Sequence, residues 1–376
     1  MRLLHTSDWH LGKRLFKLDR APEHERFLAW LVETLKSQEI DVLLISGDVF
    51  DTPTPPHTAL EMFYNFLHRV SEETRTETLV IAGNHDSGLL LEAPAKLLSP
   101  HRVKVWGKLS PEPAHHWTRV GSIDLCAVPF FRSYELLPQG EGDAVAALAR
   151  YLDREKTGPQ LLMLHHLAGI FEAAGSEQVI SLSGVDSIPA ELLAAFDYVA
   201  LGHIHKPQKI GPFAFYSGSP IPLRFSETAK KSVVVIDEAQ GTLVPRTLAV
   251  PVFRDLFIVK TTEGAFREDL LALAPAAELT AQVEVQIDLS QPRPGLIDEI
   301  KELLAGKGME LLSFIPLYQT GERPERRPEK IFELGPLELF REFYAAKYPE
   351  AGEVPADLEQ DFTALLEKVR HAASPA

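Results

Sequence analysis

Arg2-Leu-Leu-His5-Thr-Ser-Asp8-Trp-His10-Leu-Gly12 opens the chain, and its reading decides the fold. A short apolar run, Arg2–His5, reads as a strand. Just beyond its end a carboxylate and an imidazole stand two positions apart. The same device recurs four times. Val42–Ile45 leads into Gly47-Asp48-Val-Phe-Asp51, and Thr78–Ala82 into Gly83-Asn84-His85-Asp86. Leu161–Leu164 leads into His165-His166, and Tyr198–Leu201 into Gly202-His203-Ile-His205. Further strands are expected at Val103–Trp106, Ile123–Val128, Ala214–Ser217 and Ser232–Ile236. Between the first two strands Phe27, Trp30, Leu31, Thr34 and Leu35 repeat at helical spacing, as do Leu60, Phe63, Tyr64 and Leu67 over Thr58–Val70. Strands alternating with helices imply covered sheets whose strand-end loops carry the chemistry. Several late strands without helices between them imply a second sheet, and so an α/β sandwich.

Composition sets limits. The 376 residues carry 38 Lys+Arg against 53 Asp+Glu, a net charge of −15. An overall basic coat for nucleic acid is excluded, so any such binding needs a local patch or a partner subunit. The single cysteine, Cys126, cannot form an internal disulfide or a thiolate zinc cage, and its apolar neighbours make it a buried small hydrophobe. No apolar run is long enough for a membrane helix and no signal peptide is evident, so a soluble cytoplasmic protein is expected. The phosphate loop Gly-x4-Gly-Lys-Ser/Thr is missing, so the chain should not hydrolyse ATP itself.

Residues 1–245 form the expected first domain. Residues 251–318 show a compact β-α-β-α-β pattern without a catalytic cluster, and residues 319–334, rich in Pro, Arg and Glu, read as a linker. Residues 335–373 hold two amphipathic helices. One carries Leu337, Phe340, Phe343, Tyr344 and Tyr348, and the other Leu358, Phe362, Leu365, Leu366 and Val369. A helix pair this short makes a small core, so these faces either dock on the chain's own domains or fill a groove on another protein.

Taken singly, each polar cluster is an ordinary turn or cap. Together, five strand ends offering carboxylate, imidazole and amide groups, with no thiolate, describe a mixed oxygen–nitrogen site for divalent metals. The donor set exceeds one octahedral ion and suits two, which can clamp the attacking and leaving oxygens of a phosphoryl displacement. If the local backbone is extended, Asp8-x-His10 and His203-x-His205 each point both side chains one way. The glycines before Asp48, Asn84 and His203 would permit sharp turns.

The motif order Asp-x-His, Gly-Asp-x-x-Asp, Gly-Asn-His-Asp, a strand-end His and Gly-His-x-His resembles the calcineurin-like metallophosphoesterase superfamily. His5–Gly12, Tyr198–His205 and Tyr216-Ser-Gly-Ser-Pro-Ile-Pro-Leu223 narrow the resemblance to the SbcD family of bacterial Mre-type nucleases. The resemblance covers the whole chain. It implies a metallophosphoesterase two-sheet sandwich flanked by helices, a small α+β capping domain and a C-terminal helical pair that binds the SbcC coiled coil. It also implies two ions, expected to be Mn²⁺. One would be held by Asp8, His10 and His205, the other by Asn84, His165 and His203, with Asp48 bridging. His165 rather than His166 is chosen because it directly follows its strand. His85 is implied as a non-ligand that stabilises the transition state or protonates the leaving 3′ oxygen, and Asp51 and Asp86 as carboxylates orienting rings or loops. The remaining histidines, His5, His24, His57, His68, His101, His115, His116 and His371, fit no ligand spacing.

The implied activity is 3′→5′ exonuclease cleavage of double-stranded DNA ends and endonuclease cleavage of single strands and hairpins, in repair and recombination. The implied assembly is a heterotetramer, two of each subunit with the SbcC-type ATPase, dimerised through the nuclease domain near residues 58–70 and 94–99. Lys13, Arg14 and Lys17 would line a phosphate track beside the metals, with Arg132 and Arg224 near other strand ends. Two rivals stand beside this reading. A stand-alone phosphodiesterase for small nucleotides would have no use for the C-terminal helices, and an inactive adaptor would have no use for intact ligand clusters.

Overall fold

The computed structural model describes residues 1–137, 142–169, 171–172 and 187–318, and in the tail residues 337, 340, 341, 343, 344, 354–356, 358–360, 362, 363 and 366. The linker expected at 319–334 lies outside the described residues, as do Tyr348, Leu365, Val369 and His371. Two compact units emerge, Met1–Leu317 and Tyr318–Ala376.

Within the first unit, two six-stranded sheets are stacked. The first runs Thr242–Ala249, Ser232–Ala239, Arg2–Thr6, Val42–Ser46, Glu77–Ile81 and Val103–Trp106. Its last four strands are parallel, and the first two pair antiparallel. The second runs Gln208–Ile210, Ala214–Tyr216, Tyr198–Gly202, Gln160–His165, Ile123–Val128 and Trp117–Val120, with its four central strands parallel.

These central strands read as unbroken apolar runs because both their faces are buried. Leu3, Val42, Leu44, Leu79 and Ile81 meet Leu125, Ala127, Leu161, Met163 and Ala200 between the sheets. One residue on, Leu4, Leu43, Ile45 and Val80 point the other way, under Phe27, Leu31, Phe63 and Phe66 of the helices Ala21–Ser37 and His57–Glu73. The outer face of the second sheet, with Cys126, Leu162, Leu164 and Val199, is covered by Leu148, Tyr151 and Leu152 of the helix Ala144–Leu152 and by Leu193 and Phe196. Cys126 is fully buried, as its apolar surroundings required.

A third sheet, Arg254–Thr262, Leu279–Leu289 and Met309–Tyr318, is covered by the helices Phe266–Ala272 and Leu296–Ala305, which give it its own core of Val283, Val285, Ile287, Leu270 and Ile300. A buried charge cluster ties it to the sandwich. Arg254 donates to Glu23 at 2.8 Å, and Arg20 donates to the same carboxylate at 2.6 Å. In the second unit Phe340 stacks on Phe362 with ring centroids 4.1 Å apart, and Arg341 pairs with Glu359. Part of the apolar face of that helical pair is therefore self-covered, while Phe343 and Leu358 are 60% and 41% exposed.

Candidate metal centre

Parallel strands end on one edge, and here the edges of two sheets end together. Asp8 follows Arg2–Thr6, Asp48 follows Val42–Ser46, Asn84 follows Glu77–Ile81, His165 closes its strand, and His203 follows Tyr198–Gly202. The first two loops continue the ladder beyond the strands. Asp8 N donates to Gly47 O, His10 N to Asp48 O and Leu11 N to Val49 O, all at 2.9–3.0 Å.

Convergence does not come from extended backbone, which corrects the alternation argument. Asp8, His10 and Asp48 have φ of 55°, 49° and 50°, and His203 has 100°. Left-handed bends turn these side chains inward, at a strain on the order of 1–3 kcal/mol each that the surrounding structure must hold. The glycines need a second correction. Gly47 does adopt φ 86°, but Gly83 and Gly202 are required by close approach rather than by turning. A Cβ on Gly83 would lie 2.1 Å from Asp48 Oδ1, and one on Gly202 would lie 1.9 Å from Ser46 O and 2.6 Å from His165 Nδ1.

The side chains meet at short range. Asp8, His10 and His205 form one cluster, and Asp8, Asp48 and His165 another, each with its donor atoms within 4.8 Å of one another. His10 Nε2 lies 3.1 Å from His205 Nε2. Asn84 Oδ1 lies 2.7 Å from His203 Nδ1 and 3.1 Å from His165 Nε2. Asp48 faces both sides, with Oδ2 3.5 Å from His10 Nε2 and Oδ1 3.4 Å from His165 Nε2.

The chemistry of this donor set tests whether cations fit. His165 Nδ1 lies 2.8 Å from Ser46 O, and a carbonyl only accepts, so Nδ1 carries the proton. His165 Nε2 then faces two acceptor oxygens, of Asp48 and Asn84. Something positive must stand there, a proton or a metal ion. With a proton alone, burial would lower His165, but the Asp48 charge outweighs it and lifts it to about 9. Burial pushes Asp48 up, yet His165, His10 and His85 together hold it well below the usual carboxylate range. His203 is lowered to about 3 by burial and by His165. His10 is lowered by burial against the pull of Asp51. Buried carboxylates, an amide oxygen and imidazoles facing one another make a site for divalent cations, and the residues fit two.

The neighbours sort by contact. His166 turns away: its Nε2 donates to Phe131 O at 3.0 Å, and its ring lies against Phe130 and Phe131. His85 Nδ1 donates to Asp51 O at 2.8 Å, its ring edge-on to His10 with centroids 4.8 Å apart, and His10, Asp51 and His85 form a third cluster. Asp86 accepts from Gly83 N, Phe50 N and Val49 N at 2.8–3.1 Å, which locks two ligand loops together. Burial and the Asp48 charge raise Asp86 to about 6 against those three donors. Asp51 accepts from Lys13 Nζ at 2.9 Å and lies 3.3 Å from His10 Nδ1. Burial pushes Asp51 up, but His10 and Lys13 outweigh it and bring it to about 2.

Arg14, Lys17, Arg132 and Arg224 are exposed. His5 and His24 are buried, on Tyr198 OH and Trp9 O respectively.

Sequence reasoning missed Glu227 and Lys231. Glu227 Oε1 lies 3.6 Å from His205 Nδ1, and its other oxygen takes the Lys231 ammonium at 2.5 Å. Lys231 also donates to Ser219 Oγ at 2.8 Å and His205 O at 3.2 Å. Both side chains are buried. Their only signal in the sequence is two opposite charges four apart beside Tyr216–Leu223.

Known proteins align with this architecture. Residues 1–207 match the calcineurin-like phosphoesterase family, and residues 252–348 match the type 5 capsule protein repressor C-terminal domain. The two-sheet sandwich with its strand-end donors is thus that of a calcineurin-like phosphoesterase. The SbcD subunit of the SbcCD nuclease of Escherichia coli is 32% identical over 323 residues, covering 79% of this chain and 77% of that one. The Rhodobacter capsulatus counterpart is 36% identical over 281 residues, 67% and 69% of the two chains, and that of Bacillus subtilis 33% over 265, 64% and 67%. The chain belongs to the SbcD family. Among the described residues no helix is long and apolar enough to cross a membrane.

Proposed function

We propose that this chain is the nuclease subunit of an SbcC–SbcD-type complex, cutting DNA phosphodiesters 3′→5′ from double-stranded ends and cleaving single strands and hairpins endonucleolytically. The observation that carries the reading is Asp48, whose two oxygens face His10 on one side and His165 on the other at 3.4–3.5 Å. Asp8, His10 and His205 would hold one cation, Asn84, His165 and His203 the other, and Asp48 would serve both. Mn²⁺ is the ion we expect. Bound there, the pair would supply Lewis acidity and a nucleophile at neutral pH.

The chain's own residues do the rest. Ser46 O fixes the tautomer of His165, and Glu227 lies behind His205 on the side away from its Nε2. Asp86 holds the Asp48 and Asn84 loops in register. His85, with Nδ1 donating to Asp51 O, keeps Nε2 for the leaving 3′ oxygen, to which it would give a proton from the imidazolium form.

Residues 1–245 would form the nuclease domain, 251–318 the cap, 319–334 a linker and 335–373 the coiled-coil anchor, in a complex of two chains with two ATPase subunits. Leu97, 78% exposed within the 94–99 segment, favours a homodimer contact there. A chain at −15 needs the partner to complete a basic groove. A cytoplasmic, nucleoid-associated location follows from that substrate.

The test is cleavage of end-labelled hairpin and duplex oligonucleotides by the full chain with Mn²⁺, with and without a coiled-coil ATPase and ATP. Hairpin cutting by the chain and ATP-stimulated duplex cutting by the complex are expected. Hydrolysis of bis-p-nitrophenyl phosphate with no cutting of any oligonucleotide would overturn the nuclease reading in favour of a small-molecule phosphodiesterase.

A further inference from the structure

A two-strand hairpin leaves the site directly after His10. Arg14 pairs with Asp19 and Leu15 with Leu18, so Phe16 and Lys17 form the two-residue turn. Phe16 has φ 53° at a position that such turns ordinarily give to glycine or asparagine. A bulky residue there is strained. Burial does not account for it, since Phe16 is 61% exposed. Local preference disfavours an aromatic ring on a left-handed turn, and its ring neighbour, Phe225, leaves most of the side chain exposed, so the outlier points to function.

The surroundings give the ligand its chemistry. The hairpin's base is fixed, because Lys13 N donates to His10 O, Arg20 N donates to Lys13 O, and Leu15 is buried. Lys13 Nζ shares Asp51 with His10, so the base abuts the metal centre. Arg14 and Lys17 flank the ring and are exposed, and Arg14 is held across the turn by Lys17 O at 3.0 Å. The Phe225 ring stands 6.4 Å from that of Phe16, tilted by 45°. Cations flanking an exposed aromatic ring are the elements of a single-strand nucleic-acid track, in which bases stack and phosphates pair.

We propose that Phe16 is a stacking platform for an unpaired base of the nucleic-acid substrate, held beside the metal centre by this hairpin. Resting on the nuclease reading, it says how that site selects frayed ends and hairpin loops over intact duplex.

The test compares the full chain with Phe16→Ala and Phe16→Tyr, each checked by its melting temperature. Affinity for an oligonucleotide carrying 2-aminopurine at its unpaired end is read by fluorescence, and Mn²⁺-dependent cleavage gives kcat and KM. Wild type and Phe16→Tyr should perturb the 2-aminopurine emission. Phe16→Ala should bind at least about fivefold more weakly, the scale of one lost base–aromatic stack, with the loss in KM and less of it on blunt duplex. If wild type cuts DNA and Phe16→Ala matches it in affinity and KM, the inference fails and the nuclease reading stands. If Phe16→Ala loses only capture of the coiled-coil ATPase, the ring contacts protein and the inference also fails. If wild type hydrolyses bis-p-nitrophenyl phosphate yet neither binds nor cuts any oligonucleotide, both fall together.

Discussion

His205 Nδ1 lies 3.6 Å from Glu227 Oε1, with Nε2 of the same ring 3.1 Å from His10 Nε2, so one imidazole links a buried carboxylate to the metal centre. Carboxylates behind histidine ligands fix the ring and raise its basicity, and their loss typically weakens metal binding 10–100-fold. Glu227→Gln should therefore raise the metal dissociation constant by about that factor. It also strands buried Lys231 and should destabilise the fold. The double variant Glu227→Gln/Lys231→Met separates the two effects: stability should recover substantially, while calorimetric metal affinity stays low. Recovery of both would make Glu227 a purely structural residue.

Asp48→Asn removes a charge that faces His10 on one side of the site and His165 on the other. Turnover should vanish, and metal content should drop at both positions rather than one. Normal turnover with full metal content would rule out a shared carboxylate.

His85 contacts Asp51 O and the edge of His10. For His85→Gln we expect metal content to be spared and the rate to fall by about a hundredfold or more, the scale of a lost general acid. Since His10, Asp51 and His85 also form a cluster that could take an ion, a parallel loss of metal would reassign His85 as a ligand.

Phe16→Gly would relieve a left-handed φ at a small cost in buried area, since the side chain is 61% exposed. Left-handed conformers cost an ordinary residue roughly 1–2 kcal/mol, and the freer unfolded chain of glycine offsets part of it. Chemical denaturation should show a gain of up to about 1 kcal/mol, together with weaker single-strand binding. A clear loss of stability would mean that the ring packs in the folded protein.

Much of this was legible in the residues. Fully buried parallel strands must be apolar throughout, so runs such as Val42–Ser46 and Ile123–Val128 stand out, and the polar clusters behind them mark one sheet edge. The strand Thr242–Ala249 was not legible, because most of its side chains are exposed and Pro245 interrupts it. Nor were the bends at Asp8, His10, Asp48 and His203, because tertiary contacts impose them against local preference. Glu227 was hidden for a related reason: a carboxylate buried against His205 by a long-range contact looks, in the chain, like any surface Glu-x3-Lys pair.

The most direct test of the central claim is Mn²⁺ titration of the full chain, followed by calorimetry and electron paramagnetic resonance. Two ions per chain with a spin-coupled spectrum, reduced to uncoupled or lost Mn²⁺ in Asp48→Asn, is the predicted result. A single uncoupled ion in the wild-type chain, unchanged by that substitution, would contradict it.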